Sequence, residues 1–430
     1  MEGFKISSAG EFVGKEVILK GWVYQKRSSG KIQFYIFRDG TGLIQGVVEQ
    51  RVVPPEVFAL YDTLTLESSV IVKGVVREDK RAPSGYELLV NDIKPVSISA
   101  EYPITPKPHG IEFLLKRRHL WIRSRRQQAI LRVRDELIYA IREFFKNKGF
   151  VLIDTPILTG SIGETASTLF ETDYFGKKAY LSQTGQLYLE AAIFSFGNVY
   201  CFGPTFRAER SKTRRHLIEF WMVEAEEAFY DNDMNIALQE EFVEYIVQAV
   251  LDRAADYLKD LGRNTKQLER VVRPFPKISY DEAIKYLQSK GSQIKWGDDL
   301  GGDEETIISK SNPKPTFVMN YPKKAKAFYM KENPANPETV LCADLIAPEG
   351  YGEIIGGSQR EDDINKLLAR IREEGLPEKA YEWYIDLRRY GSVPHSGFGL
   401  GVERTLAWIC KLPHVREAIP FPRLYKKIYP

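Results

Sequence analysis

Apolar and polar residues alternate through most of the first hundred positions. Val17–Tyr24, Ile32–Arg38, Leu43–Glu49, Ser68–Arg77 and Tyr86–Val96 follow this pattern, and SSG at Ser28–Gly30, DGTG at Asp39–Gly42 and APSG at Ala82–Gly85 punctuate them. Short alternating runs bounded by turn residues read as strands. The stretch SISAEYPITPKPHG, Ser97–Gly110, has three prolines and no apolar period, so it reads as a hinge. The spacing then becomes helical. Ile130, Val133, Leu137, Ile141, Phe144 and Phe145 form one stripe over about Arg125–Asn147, with Gly149 as a stop. Further on, the pattern predicts a helix at about Met234–Leu261 and a proline-punctuated stretch at Arg273–Lys331. A strand pair at Thr339–Arg360 and a helix at Ile364–Glu374 follow.

Five strands with one longer, part-helical connection at about Pro54–Leu66 fit an OB-fold, a β-barrel whose open face binds single-stranded nucleic acid. Helices alternating with hairpins in the remainder predict a mainly antiparallel sheet flanked by helices. The fold class is therefore α+β. The expected divisions are 1–98, a linker at 99–124, and a larger domain at 125–430 with an insertion at about 231–338.

Candidate chemistry concentrates in TFRAERSKTRRHLIEFWMVEA, Thr205–Ala225. Read as strand, loop and strand, it puts Thr205, Arg207 and Glu209 on one face. On the return strand Phe220, Met222, Glu224 and Glu226 share a face, and Trp221, Val223 and Ala225 share the other. Arg210, Lys212, Arg214, Arg215 and His216 crowd the connecting loop. A guanidinium, an aromatic plate and carboxylates suit a nucleoside triphosphate, because arginine matches phosphate oxygens in a planar fork. An amphipathic hairpin laced with surface ion pairs has the same composition.

GFGLGVERTLAWICKL, Gly397–Leu412, adds a second phosphate-directed arginine. Gly397, Gly399 and Gly401 alternate, so another group can approach that strand closely. Arg404 then falls in the first turn of a helix, where free N–H groups already favour an anion. The P-loop and dinucleotide-binding fingerprints are both absent. In CADLIAPEGYGEIIGGSQR, Asp344 and Glu353 flank a turn, and two such carboxylates suit Mg2+ bridging substrate phosphates; exposed turn acids look the same. In the barrel, Phe34 and Arg27 offer a stacking plate and a phosphate contact, and Gln45 an amide for a base edge. Packing and solvation explain those three residues equally well.

Composition narrows the class without naming it. With 430 residues, two domains plus an insertion are expected. No run approaches the roughly 18 apolar residues that span a bilayer. The opening MEGFKISSAGEFVGKEV has no apolar core of a signal peptide, and Cys201, Cys342 and Cys410 are too scattered for a zinc site or disulfide framework. A reducing, cytoplasmic setting is expected. Net charge is only +3, yet Lys116, Arg117, Arg118, Arg123, Arg125 and Arg126 cluster between the two domains. Such a run is a solvated face or an RNA-phosphate contact.

FRAE at Phe206–Glu209 with HLIEF at His216–Phe220 resembles motif 2 of the class II aminoacyl-tRNA synthetases. GFGLGVER at Gly397–Arg404 resembles motif 3, and the helix from Arg125 running into FVLIDTPIL, with Pro156, resembles motif 1. The resemblance covers essentially the whole chain, in the aspartyl, asparaginyl and lysyl subgroup, and is greatest to asparaginyl enzymes of archaeal type. It implies ATP-dependent attachment of asparagine to tRNA(Asn) through an adenylate, with Mg2+, in a homodimer built on motif 1. It places Arg207 between the amino acid's carboxylate and the α-phosphate, Arg404 and His216 on the γ-phosphate, Phe220 under adenine, and Glu209 on the adenine amino group. Asp344 and Glu353 match the Mg2+–ATP acids. Glu164 and Gln186 take the α-amino group, and Arg27, Phe34 and Gln45 the anticodon. In SQTGQLYLE, Leu189 stands where aspartyl enzymes carry a lysine, leaving Arg360 and Glu224 to read a side-chain amide.

Overall fold

The computed structural model of the chain describes residues 4–82, 84–160, 168–211 and 213–430. It divides into two compact units, Met1–Leu114 and Leu115–Pro430.

The first unit is a closed barrel. Strands β1 (Glu16–Ser29), β2 (Ile32–Arg38), β3 (Leu43–Glu49), β4 (Ser69–Glu78) and β5 (Tyr86–Ser97) run in the order β1-β2-β3-β5-β4, and helix α1 (Pro55–Thr63) connects β3 to β4. Alternation explains the closure, since Val17, Leu19 and Val23 point inward from β1 to meet Tyr35, Phe37, Ile44, Val48 and Val72. Gly21 is required where β1 crosses β2, because a Cβ there would lie 2.3 Å from the Arg38 carbonyl oxygen. A buried two-pronged ion pair, Arg38 Nη1 and Nη2 to the Glu67 carboxylate at 2.8 Å each, ties β2 to the segment entering β4.

The second unit is built on an eight-stranded sheet. Helix α2 (Arg125–Asn147) begins at Ser124, whose hydroxyl accepts from the Gln127 N–H, and all six stripe residues expected on it are buried. Then follow β6 (Val151–Leu152), α3 (Gln186–Phe196), β7 (Asn198–Phe206), β8 (Glu219–Ala228), α4 (Asn232–Arg253), β9 (Lys277–Ser279) and β10 (Thr316–Met319). The remaining sheet strands are β11 (Cys342–Ala347), β12 (Gly352–Gln359) and β13 (His395–Gly401); α5 (Glu382–Arg389) precedes β13 and α6 (Val402–Ile409) follows it. The sheet order is β9-β10-β11-β12-β13-β8-β7-β6. Its five central pairings are antiparallel, and the two edge pairings, β9 with β10 and β6 with β7, are parallel.

Helices α2, α4 and α6 cover one face of this sheet, where Val223, Ala225, Phe398 and Leu400 join Phe144, Phe145, Phe242 and Trp408 in the largest core. The opposite face is therefore left for polar side chains. The proline-punctuated stretch has its own packed centre: helices Tyr280–Ser289 and Gly302–Ser309 enclose Tyr280, Leu287, Ile308 and Tyr321. A capping box between Ser279 and Glu282 starts the first of these helices. Among the described residues no helix is long and apolar enough to cross a membrane.

Candidate active site

Pairing between β8 and β13 explains why the glycines alternate. Gly401, Gly399 and Gly397 lie directly opposite Met222, Glu224 and Glu226. A Cβ on Gly399 would come within 2.6 Å of the Met222 methyl, and one on Gly397 within 2.2 Å of the Glu226 carboxyl carbon. The glycines thus let the polar face of β8 lie flat across its neighbour.

Beside them opens a cleft of about 600 Å3, counted to its mouth, lined by Arg207, Glu209, His216, Phe220, Glu353 and Arg404. All six residues expected around ATP meet in this one space. The Arg207 guanidinium sits 5.4 Å from the Phe220 ring centroid. Arg404, in the first turn of α6, donates through Nη1 to the Glu353 carbonyl at 3.1 Å and carboxylate at 3.2 Å. Burial works against the Glu353 charge, but Arg404, Lys326 and Arg207 outweigh it and hold this acid below its ordinary range. His216 Nε2 is 3.6 Å from Glu209. Burial, followed by the nearby Arg404, lowers the affinity of His216 for a proton. A neutral ring offers a phosphate a hydrogen bond rather than a charge.

The loop arginines have other work. Arg215 donates to Gly302 O at 2.9 Å, Glu305 at 3.0 Å and Gly350 O at 2.8 Å, while Arg214 donates to Gly350 O at 3.0 Å. The basic run expected to be a solvated face or an RNA-phosphate contact is split: Arg118 is buried, whereas Lys116, Arg125 and Arg126 stay exposed. Arg118 is buried on the carbonyls of Pro420 and Ile419, Arg125 pairs with Asp260, and Arg126 with Glu417.

The two candidate metal acids converge, although they are not register partners. Glu353 pairs with Ile346 and Asp344 with Gly356, across a bulge at Leu345/Ile346. Both nevertheless point over Gly356, where a Cβ would be 3.0 Å from Glu353 Oε1 and 3.7 Å from Asp344 Oδ1. Burial, partly offset by Lys326, raises Asp344 to about 6. Among the described residues no cluster of three or more His, Cys, Asp or Glu could hold a metal alone. Two converging carboxylates fit an ion that takes its other ligands from phosphate and water.

One amino-acid contact needs correction, and two others already carry partners within the protein. Leu189 is sealed in an apolar cluster with Ile193, Val199 and Cys201, so it presents no pocket surface comparable to a lysine head. Glu224 accepts from the Thr184 hydroxyl and, at 2.7 Å, from the Gly185 N–H. It thereby fixes the start of α3. Arg360 is buried and clasped by Glu226, with Nη2 to Oε1 at 2.5 Å and Nε to Oε2 at 3.1 Å; its Nη1 reaches Ser358 Oγ at 2.7 Å. Glu164 and Lys212 lie outside the described residues.

Gln186 leads to a group that motif reading missed. Its Nε2 donates to Glu190 Oε1 at 3.1 Å, one helical turn along α3. Glu190 also accepts from Tyr384 at 2.7 Å and Arg388 at 2.7 Å, both on α5, and faces His395 Nε2 at 3.0 Å. Burial opposes the Glu190 charge, yet Arg388 and His395 hold it ionised well below the usual carboxylate range. The Gln186/Glu190 and Tyr384/Arg388 spacings of four were visible in the sequence and were the available signal.

In the barrel, Arg27 lies opposite Phe34, with its guanidinium 4.2 Å from the ring centroid. Gln45 Nε2 donates to Glu87 at 3.1 Å, and Arg77 grips the other oxygen of that buried acid. The amide of Gln45 is thus oriented by a residue that sequence reading did not single out.

Residues 110–425 match the family model described as tRNA synthetases class II (D, K and N), and residues 17–96 match OB-fold nucleic acid binding domain. The chain is 56% identical, over 100% of both chains, to an asparagine–tRNA ligase of Desulforamulus reducens. It is similar to the crystal structure of asparaginyl-tRNA synthetase from Pyrococcus horikoshii complexed with asparaginyl-adenylate, at 50% identity, TM-score 0.97 and full coverage of both chains. The Entamoeba histolytica asparaginyl-tRNA synthetase in complex with asparaginyl-adenylate aligns at 31% identity and TM-score 0.87, over 97% of each chain.

Proposed function

From its membership of the class II tRNA synthetases of the D, K and N group, we infer how this chain, an enzyme that attaches asparagine to tRNA through asparaginyl-adenylate at the cost of ATP, divides the work among its residues. The asparagine α-carboxylate oxygen bonds to the α-phosphorus of ATP as the bond to pyrophosphate breaks. A terminal ribose hydroxyl of tRNA(Asn) then takes the acyl group and releases AMP. No side chain need form a covalent bond, so catalysis rests on positioning and charge. Arg207 lies between carboxylate and α-phosphate, Arg404 and a neutral His216 meet the γ-phosphate, and Phe220 and Glu209 hold adenine. Asp344 and Glu353 would hold Mg2+, which when bound supplies further neutralisation of phosphate charge.

The amino acid is read by the buried array. Arg360 and Arg388 face Glu226 and Glu190; burial pushes Glu226 up to about 8, but its two bonds from Arg360 favour the ionised pair, so the array is close to neutral before a ligand arrives. An asparagine amide keeps it neutral, whereas an aspartate would add an unpaired buried charge costing on the order of 3–5 kcal/mol. Arg360 has five N–H donors, and Glu226 and Ser358 take three of them, leaving donors for the amide oxygen. Gln186, with Glu164, takes the α-amino group. The barrel reads the anticodon through Arg27, Phe34 and Gln45; the linker expected at 99–124 ends sooner, because the second unit begins at Leu115 and buries Arg118 and Trp121.

A homodimer, a cytoplasmic setting and membership of the archaeal type complete the reading. The relatives at 56% identity are bacterial, so the archaeal type rests on likeness to the Pyrococcus enzyme alone. The convergence of six nucleotide-directed side chains on one cleft carries the proposal. ATP–pyrophosphate exchange tests it: asparagine should support exchange and aspartate should not. Equal exchange with aspartate would replace it with a relaxed aspartyl enzyme.

A further inference from the structure

One cation beside the cleft has no part in that scheme. Lys326 comes from the segment ahead of β11, and its side chain is only 13% exposed. Its Nζ lies 2.6 Å from Asp344 Oδ2, 3.8 Å from the Asp299 carboxylate and 3.9 Å from the centroid of the buried Tyr321 ring. The ammonium is thus held on several sides rather than free to wander. It takes one oxygen of Asp344 and leaves the other, Oδ1, on the side of Gly356 that Glu353 Oε1 also occupies.

We propose that Lys326 is a positioning residue for the divalent cation that accompanies ATP: it fixes Asp344 with Oδ1 toward Glu353 and keeps the free ion from settling before the nucleotide. Two carboxylates alone would form a doubly negative seat. With Lys326 on Asp344 and Arg404 on Glu353 that seat is close to neutral, so by itself it draws a free dication only weakly. An ion such as Mg2+ gives up water reluctantly and is held by one or two carboxylates only when substrate phosphates join them. The lysine therefore makes metal entry depend on the triphosphate. A lysine that merely neutralised a buried aspartate would predict the reverse: its loss would loosen Asp344 and weaken metal binding.

This inference rests on the assignment of Asp344 and Glu353 as the metal-facing acids, and the test separates the two. Mn2+ serves as the probe, followed by its free-ion paramagnetic resonance signal as full-length protein is added, with and without a non-hydrolysable ATP analogue. Lys326→Met should bind Mn2+ alone roughly tenfold or more tighter than the native protein, about 1.4 kcal/mol or more. Lys326→Arg should behave as native. A folded Lys326→Met variant with unchanged or weaker Mn2+ affinity overturns the role of the lysine. Should that variant not fold, the native protein decides. Mn2+ binding without nucleotide that Asp344→Asn abolishes overturns the proposal, and absence of such binding supports it. If Asp344→Asn and Glu353→Gln both leave binding of the Mn2+–analogue complex unchanged, the metal assignment fails and takes the lysine's role with it.

Discussion

The nucleotide cleft and the buried array beside it are made of the same residue types but handle charge in opposite ways. In the cleft, Arg207, Arg404 and the acids Glu209 and Glu353 line open space, and positive charge is available to an incoming anion. In the array, Arg360 and Arg388 are clasped by Glu226 and Glu190, and every charge is matched before any ligand arrives. An open site whose guanidiniums line accessible space suits a polyanion. A balanced closed site suits a neutral side chain and rejects a charged one, because the desolvation cost falls on whatever disturbs the balance.

The contrast can be broken most sharply from inside the array. Arg388→Met should destabilise the protein by about 3–5 kcal/mol in denaturant unfolding, since Glu190 would remain a buried charge without its guanidinium. A near-native midpoint would mean that the array is wetter than its burial implies. In the cleft the expectation is reversed. Arg207→Ala and Arg404→Ala should each leave unfolding nearly unchanged but cut adenylate formation by about 10²–10³-fold, as loss of a preorganised transition-state donor does. Near-normal exchange in either variant would remove its assigned role.

A smaller effect is expected in the barrel. Phe34→Ala or Gln45→Ala should weaken tRNA charging by about 1–3 kcal/mol while sparing pyrophosphate exchange. A parallel fall in both reactions would contradict a separate anticodon site. The smallest effect concerns Glu227, whose two carboxyl oxygens are buried and have no hydrogen-bond partner among the described residues. Burial, then the neighbouring Glu226, raises it well above its usual 4.5, so it is neutral when folded and ionises on unfolding. Its contribution to stability is complete below pH 4.5 and is lost as pH rises through its folded value. Glu227→Gln should therefore match the native melting temperature in acid and exceed it progressively as pH rises above 4.5. A pH-independent difference would place a partner or water on that carboxyl.

The two regions also differed in how far the sequence revealed them. Alternation exposed the barrel strands, the stripe of α2 and the polar face of β8, because each depends on neighbours within one element. Arg207, Phe220 and Arg404 were legible for the same reason, each sitting in a local motif with a free face. The array was legible only in part: Arg360 and Glu226 stood out, but Glu190, Arg388 and His395 are brought together across positions remote in the chain and none is unusual within its own segment. Leu189 was misjudged by assuming that a motif position points at the ligand, and the internal partners of Glu224 were not foreseen. The packing of α3 turns Leu189 into an apolar cluster, and the turn before that helix claims Glu224 for its own N–H and hydroxyl groups. Lys326 was lost among the lysines of KKAKAFYM, because only the fold sets it on Asp344.

Separation of the two regions is tested most directly by the Michaelis constants for asparagine and ATP in pyrophosphate exchange, measured for Glu190→Gln and Phe220→Ala. Glu190→Gln should raise the constant for asparagine and leave that for ATP unmoved, and Phe220→Ala should do the opposite. Both constants moving together in either variant would contradict the division between an open nucleotide cleft and a closed, charge-balanced array.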